Sequence, residues 1–123
     1  MGIAFYPTYF AWFDQATHEL FASSGHSLVE RLRDDGISVP IAECGALFRA
    51  PVFADDELLV TATVVEIRSR SLRVEHVVER AGQTVATGFE NRVVARLDDE
   101  GRLQVTRMPE DLRAWLEAPD PLH

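Results

Sequence analysis

From Pro7 onward, Phe10, Phe13, Thr17, Leu20 and Phe21 recur at spacings of three and four, with Asp14, Gln15, His18 and Glu19 between them. That period fits one face of an α-helix. Pro7 suits the first turn, where its missing N–H has no intrahelical partner to lose. Gly25 supplies a stop, so a long amphipathic helix of about five turns is expected. His26 to Asp35 reads as a shorter helix or turn, with Leu28 and Leu32 one face apart and Gly36 ending it.

After Gly36 the period becomes alternating, in segments of strand length bounded by turn residues. Ile37 to Ala50 reads as one strand region interrupted near Gly45, with Pro51 to Asp56 as the turn beyond it. Glu57 to Arg68 sets Leu59, Thr61, Thr63, Val65 and Ile67 against Leu58, Val60, Ala62, Val64 and Glu66. Leu72 to Arg80 sets Leu72, Val74, His76 and Val78 against Arg73, Glu75, Val77 and Glu79, and the short Ser69 to Ser71 link implies a hairpin. Gln83 to Leu97 reads as a fourth strand in which Gly88 marks a kink or close packing. A turn follows at Asp98 to Gly101, and Pro109 to Leu116 reads as a final short helix. A helix followed by an antiparallel run of strands is an α+β plan, because the sheet needs the helix to cover its apolar face.

The 123 residues fit a single domain with one hydrophobic core, of a size that favours an oligomer. The formal charge is −8, with twelve Arg, no Lys and twenty acidic residues. A nucleic-acid backbone is on balance repelled by such a chain, so no nucleic-acid partner is expected. A local Arg cluster still suits the phosphate of a small molecule. Cys44 is the one cysteine; with no second thiol and no metal-ligand spacing, a reducing cytoplasm and no metal are expected. No basic leader and no membrane-length apolar run is present. Cys44 itself reads as a small buried apolar residue.

The opening Gly2-Ile3-Ala4-Phe5-Tyr6-Pro7-Thr8-Tyr9 resembles the helix-entry motif of hotdog-fold acyl-CoA thioesterases of the 4-hydroxybenzoyl-CoA thioesterase type. That motif reads Asp-x-x-Gly-(Ile/Val)-(Val/Ala)-(Phe/Tyr)-(Tyr/His)-x-x-Tyr, and its Asp is the catalytic carboxylate. Everything from Gly2 to Tyr9 matches, whereas the Asp would stand two residues before Met1. The resemblance continues through Phe48-Arg49-Ala50-Pro51, then Asp55-Asp56-Glu57-Leu58 with Asp55 where the family has Gly, then Arg68-Ser69-Arg70-Ser71-Leu72. It implies a hotdog fold, an antiparallel sheet wrapped around one long helix. It also implies an acyl-CoA substrate, no cofactor, and a homodimer or homotetramer. The family's first strand, which leads into the Asp, is missing here; in the family it lies at a sheet edge, so the core is expected to survive.

Carried over residue by residue, the resemblance places the oxyanion-binding N–H groups at the helix start around Tyr6. Gly2, Tyr9 and Asp14 fall on the substrate side, with Asp14 near the acyl end, where it can accept a hydrogen bond from a substrate hydroxyl. Arg68, Arg70 and Ser71 fall where the family meets the coenzyme A phosphates, Arg73 adjoins them, and Arg92 matches a further basic position. Each has a plainer reading. Tyr6-Pro7 also simply starts a helix, Asp14 also suits a solvent-facing carboxylate, and the Arg hairpin also suits a charged tip that keeps an edge soluble.

His76, on the Leu72, Val74 and Val78 face, reads as a hydrogen-bonded core histidine ahead of a catalytic base. His18 and His26 have no partner at metal or triad spacing. Two rivals to the thioesterase stand beside it: a hotdog module that binds acyl-CoA without hydrolysing it, and a dehydratase on the same fold, whose His and acidic pair is not visible in the sequence.

Overall fold

In the computed structural model, which describes residues 6–118, the first periodic segment is helix α1 (Tyr6–Ser23), eighteen residues long. Its buried face is Tyr9, Phe13, Thr17 and Phe21, an i, i+4 stripe. Helix α2 (Leu28–Asp35) follows, capped at Ser27, whose hydroxyl accepts from the Glu30 N–H, and closed at Gly36 in the left-handed region with φ 69°.

Strands β1 (Ile37–Ser38) and β2 (Ile41–Phe48) come next, then β3 (Leu59–Ile67), β4 (Ser71–Arg80), β5 (Gln83–Val93), β6 (Ala95–Leu97), β7 (Leu103–Val105) and helix α3 (Glu110–Glu117). One antiparallel sheet has the order β2-β5-β4-β3, and a smaller one the order β1-β6-β7. Helix α1 packs on β3 and β5. On β3 the set with Val60, Ala62 and Val64 is the half-buried one, and on β4 the face read as core, Leu72, Val74, His76 and Val78, is buried. A bulge between Val64 and Glu66 then turns Ile67 inward.

Three boundaries differ from expectation. The Ile37 to Ala50 region breaks at Val39 and Pro40 rather than at Gly45, because Pro40 has no N–H for a ladder. Gly45 stays inside β2, where a Cβ would stand 2.6 Å from the Phe89 ring. The Gln83 to Leu97 region divides at Val94, and the three-residue β7 is too short for its alternation to show. Gly88 is a site of close packing: a Cβ there would lie 2.3 Å from the ring of Phe13 and 2.9 Å from the carbonyl of Gly45. Cys44 is exposed on β2 instead of buried, since Ile41 to Cys44 are all exposed at this sheet edge.

The core has two apolar halves. Tyr9, Phe13, Val52, Val78, Val85 and Ala86 form one, and Phe21, Leu72, Val74, Val94 and Leu112 belong to the other. Between them in chain order on α1, β4 and β5 stand Thr17, His76, Glu90 and Arg92, all buried.

Candidate active site

Helix α1 begins at Tyr6, so the N–H groups of Tyr6 and Thr8 stand in the first turn, where helix geometry offers no intrahelical acceptor, and Pro7 has none to offer. The first turn holds no acidic side chain among the described residues, and the positive end of a helix dipole favours an anion. Gly2 lies outside the described residues. Tyr9 is buried, its ring edge-on to Trp12 at 5.0 Å and Phe48 at 4.8 Å, so it walls the region. Asp14 stands two turns further along the same helix, roughly 10 Å away, with its side chain 48% exposed.

Asp14 is joined to the buried polar group. Arg92 Nη2 donates to Asp14 Oδ1 at 2.6 Å. Arg92 Nε and Nη2 donate to the two oxygens of Glu90, each at 3.1 Å, and Nη1 donates to the Val39 carbonyl at 2.9 Å. The Thr17 hydroxyl donates to Glu90 Oε1 at 2.6 Å, and His76 Nε2 lies 3.2 Å from the same oxygen. The His76 ring stacks on Phe13 at 4.6 Å. Burial is the largest single influence on Glu90 and opposes its charge. Hydrogen bonds from His76, Arg92 and Thr17, with the Arg92 charge, together outweigh it and lower the carboxyl from 4.5 to about 2.

Arg92, carried over as a further coenzyme A-binding position, borders the cleft at the β3–β4 hairpin but has its charged end turned inward. Its guanidinium is on the helix-facing side of the sheet, 3% exposed, and is spent on Glu90, Asp14 and Val39. The structure also supplies the histidine and acidic pair that the sequence did not reveal, His76 with Glu90. Both side chains are at most 1% exposed and so belong to the core.

Beside Asp14 a cleft of about 260 Å³ is lined by His18, Leu28, Leu32, Val39, Pro40 and Ile41 among others, with Asp14 and Arg92 as its polar end. His18 Nε2 lies 3.6 Å from Asp14 Oδ1. A second cleft, of about 350 Å³, lies at the β3–β4 hairpin and is walled by Glu66, Arg68, Ser71, Arg73 and Asn91 with their neighbours. Arg68 Nε donates to Glu66 Oε1 at 2.7 Å. Arg73 lies over the Phe89 ring at 4.1 Å and donates to Asn91 at 3.2 Å. Arg70 is exposed beside this cleft in the turn, and its guanidinium makes no hydrogen bond among the described residues. Arg80 stands apart from the hairpin, bonded to Asp56 and to the Pro51 carbonyl at 2.9 Å each.

The sequence pattern does not reveal that Thr17, Glu90 and Arg92 form one unit with His76. A signal existed: Glu90 and Arg92 occupy the same strand face as Ala86 and Val94, and charges at inward positions of a strand must be paired.

Residues 1–87 match the family model described as the thioesterase superfamily. The chain is 32% identical over 120 residues to a 4-hydroxybenzoyl-CoA thioesterase from Pseudomonas sp. (strain CBS-3), covering 89% of this chain and 82% of that protein. The structure of that Pseudomonas enzyme superposes with a TM-score of 0.80 over 89% of this chain and 84% of its own, at 32% identity. A gentisyl-coenzyme A thioesterase superposes with a TM-score of 0.83 at 30% identity, over 95% of this chain and 89% of its own. The described fold, the family match and these relatives agree, and the chain belongs to the thioesterase superfamily, as a hotdog-fold acyl-CoA thioesterase.

Proposed function

We propose that the substrate is a coenzyme A thioester of a hydroxylated aromatic acid, with the acyl group in the cleft beside Asp14. The observation that carries this reading is the Asp14 carboxylate, half-exposed at the end of an otherwise largely apolar cleft. An aromatic ring suits the apolar walls, and a ring hydroxyl suits an ionised acceptor at the end. The two relatives are named for 4-hydroxybenzoyl and gentisyl thioesters, both hydroxylated aromatic acyl groups.

In this reading the thioester carbonyl lies at the start of α1. Water adds to the carbonyl carbon, the oxyanion is held by the free N–H groups around Tyr6, and collapse expels the coenzyme's thiol and leaves the acid. In the family motif the carboxylate that attacks the carbonyl or activates water is an Asp, at a motif position that falls two residues before Met1. Asp14 is too far along the helix to replace it. Arg68, Arg70 and Ser71 take the coenzyme's phosphates, since guanidinium forks suit phosphate oxygens. The strand β2, exposed at Ile41, Leu47 and Phe48, supports a homodimer or homotetramer in which this edge is covered.

A non-hydrolysing acyl-CoA-binding module is the second reading. It is favoured by one feature: no Asp or Glu stands in the first turn of α1 among the described residues. Release of free thiol from 4-hydroxybenzoyl-CoA separates the two. The thioesterase reading expects feeble turnover by residues 1–123, strong turnover by a form extended upstream through an Asp, and collapse on changing that Asp to Asn, since loss of such a group costs several orders of magnitude. Binding without turnover by the extended form selects the module.

A further inference from the structure

We propose that Arg92 is a positioning residue for substrate recognition: it fixes one oxygen of Asp14 and so turns the other toward the apolar cleft, where it meets a hydroxyl on the acyl group. The inference rests on the reading of Asp14 as the residue facing that group. Both polar contacts of Asp14 among the described residues fall on Oδ1, from Arg92 Nη2 at 2.6 Å and His18 Nε2 at 3.6 Å. Oδ2 has none. A half-exposed carboxylate at the end of a cleft would otherwise turn freely about its terminal torsion, which is broad and two-fold. The bond from Arg92 selects one orientation.

The anchor is itself immobile. Both oxygens of Glu90 receive Arg92, and Thr17 and His76 hold Glu90 from α1 and β4. A further hydrogen bond, to the Val39 carbonyl, ties the guanidinium to the segment that walls the cleft. Thr17 and Asp14 are three residues apart on α1, so the helix is pinned against rotation at two points on adjoining turns. Stability alone does not account for this arrangement, because apolar residues of similar volume usually fill such a site at no greater cost than buried ions. A requirement for one carboxylate orientation does account for it.

The test uses the full chain and two non-hydrolysable analogues in which a methylene separates the carbonyl from the coenzyme's sulfur, one bearing a 4-hydroxyphenyl ring and one a phenyl ring. Calorimetry gives the ratio of their Kd values. The wild-type chain is expected to prefer the hydroxylated analogue by about tenfold or more, as for a hydrogen bond to a charged group. Asp14→Ala abolishes that preference. Arg92→Lys keeps the charge but cannot serve Glu90, Val39 and Asp14 from one ammonium. It is expected to reduce the preference about fivefold or more, with the phenyl analogue bound within about twofold of wild type.

Glu90→Met combined with Arg92→Met removes the ion pair together and leaves no lone buried charge. It gives the same outcome and carries the test should the lysine variant not fold. Arg92 variants that keep the wild-type preference while Asp14→Ala loses it overturn the positioning role and leave the reading of Asp14 intact. Equal weakening of both analogues by the Arg92 variants also overturns it, assigning Arg92 to structure alone. A preference that survives Asp14→Ala removes the underlying reading of the cleft.

Discussion

Glu90 is the residue on which acid stability turns. Its carboxyl is lowered from 4.5 to about 2 in the folded chain, so the stabilisation is complete above the unfolded value and is lost as pH falls through the folded one. The shift corresponds to about 3 kcal/mol, present above roughly pH 4.5 and gone near pH 2. Glu90→Gln should remove that part of the acid limb and lower stability near neutral pH by about 1–3 kcal/mol. Urea unfolding between pH 5 and pH 2.5 checks it; parallel pH slopes for the two proteins would contradict the assignment. Gly88→Ala should cost about 1–3 kcal/mol by overpacking, because its Cβ would meet the Phe13 ring and the Gly45 carbonyl, and thermal unfolding reads the loss. Little of this was visible in the chain. His76 is the hydrogen-bonded core histidine that its strand face predicts. Its partners Thr17 and Glu90 lie 59 and 14 positions away, and alternation reports which face a residue occupies, not which residue it meets across a sheet and a helix.

Helix α1 and the β3–β4 hairpin were legible because both carry long uninterrupted periods: the i, i+4 stripe from Tyr9 to Phe21, and the four inward residues from Leu72 to Val78. The break at Pro40 and the division of β5 from β6 at Val94 were not, since a few apolar residues on either side of a break look like one strand. Helix α2 depends on its caps. Ser27→Ala removes the acceptor for the Glu30 N–H and should cost about 1 kcal/mol, measurable as a lower urea midpoint; an unchanged midpoint would mean that packing of Leu28 alone holds this helix. The hairpin bears the phosphate reading. Changing both Arg68 and Arg70 to Ala should weaken coenzyme A binding and leave the remaining affinity less sensitive to salt. Calorimetry at two ionic strengths tests this, and unchanged affinity places the phosphates elsewhere.

For the whole molecule, the exposed β2 edge with Ile41, Leu47 and Phe48 leads to an expected dimer or tetramer, which sedimentation across a range of concentrations should show; a single 13.8 kDa species at all of them contradicts it. The N-terminal motif points to the family to which the chain belongs. The motif carries no sign of the cleft beside Asp14, because that cleft draws its walls from α1, α2 and the residues from Ser38 to Ile41 as well as Arg92. The most direct test is kcat/KM for 4-hydroxybenzoyl-CoA, benzoyl-CoA and a straight-chain acyl-CoA, measured on the chain extended upstream through the motif's Asp, with and without Asp14→Ala. The hydroxylated aromatic thioester should be hydrolysed most efficiently, and Asp14→Ala should lower its kcat/KM by about ten- to a hundredfold while leaving benzoyl-CoA nearly unchanged. A preference for the straight-chain thioester, or an equal loss for all three on changing Asp14, would contradict the account.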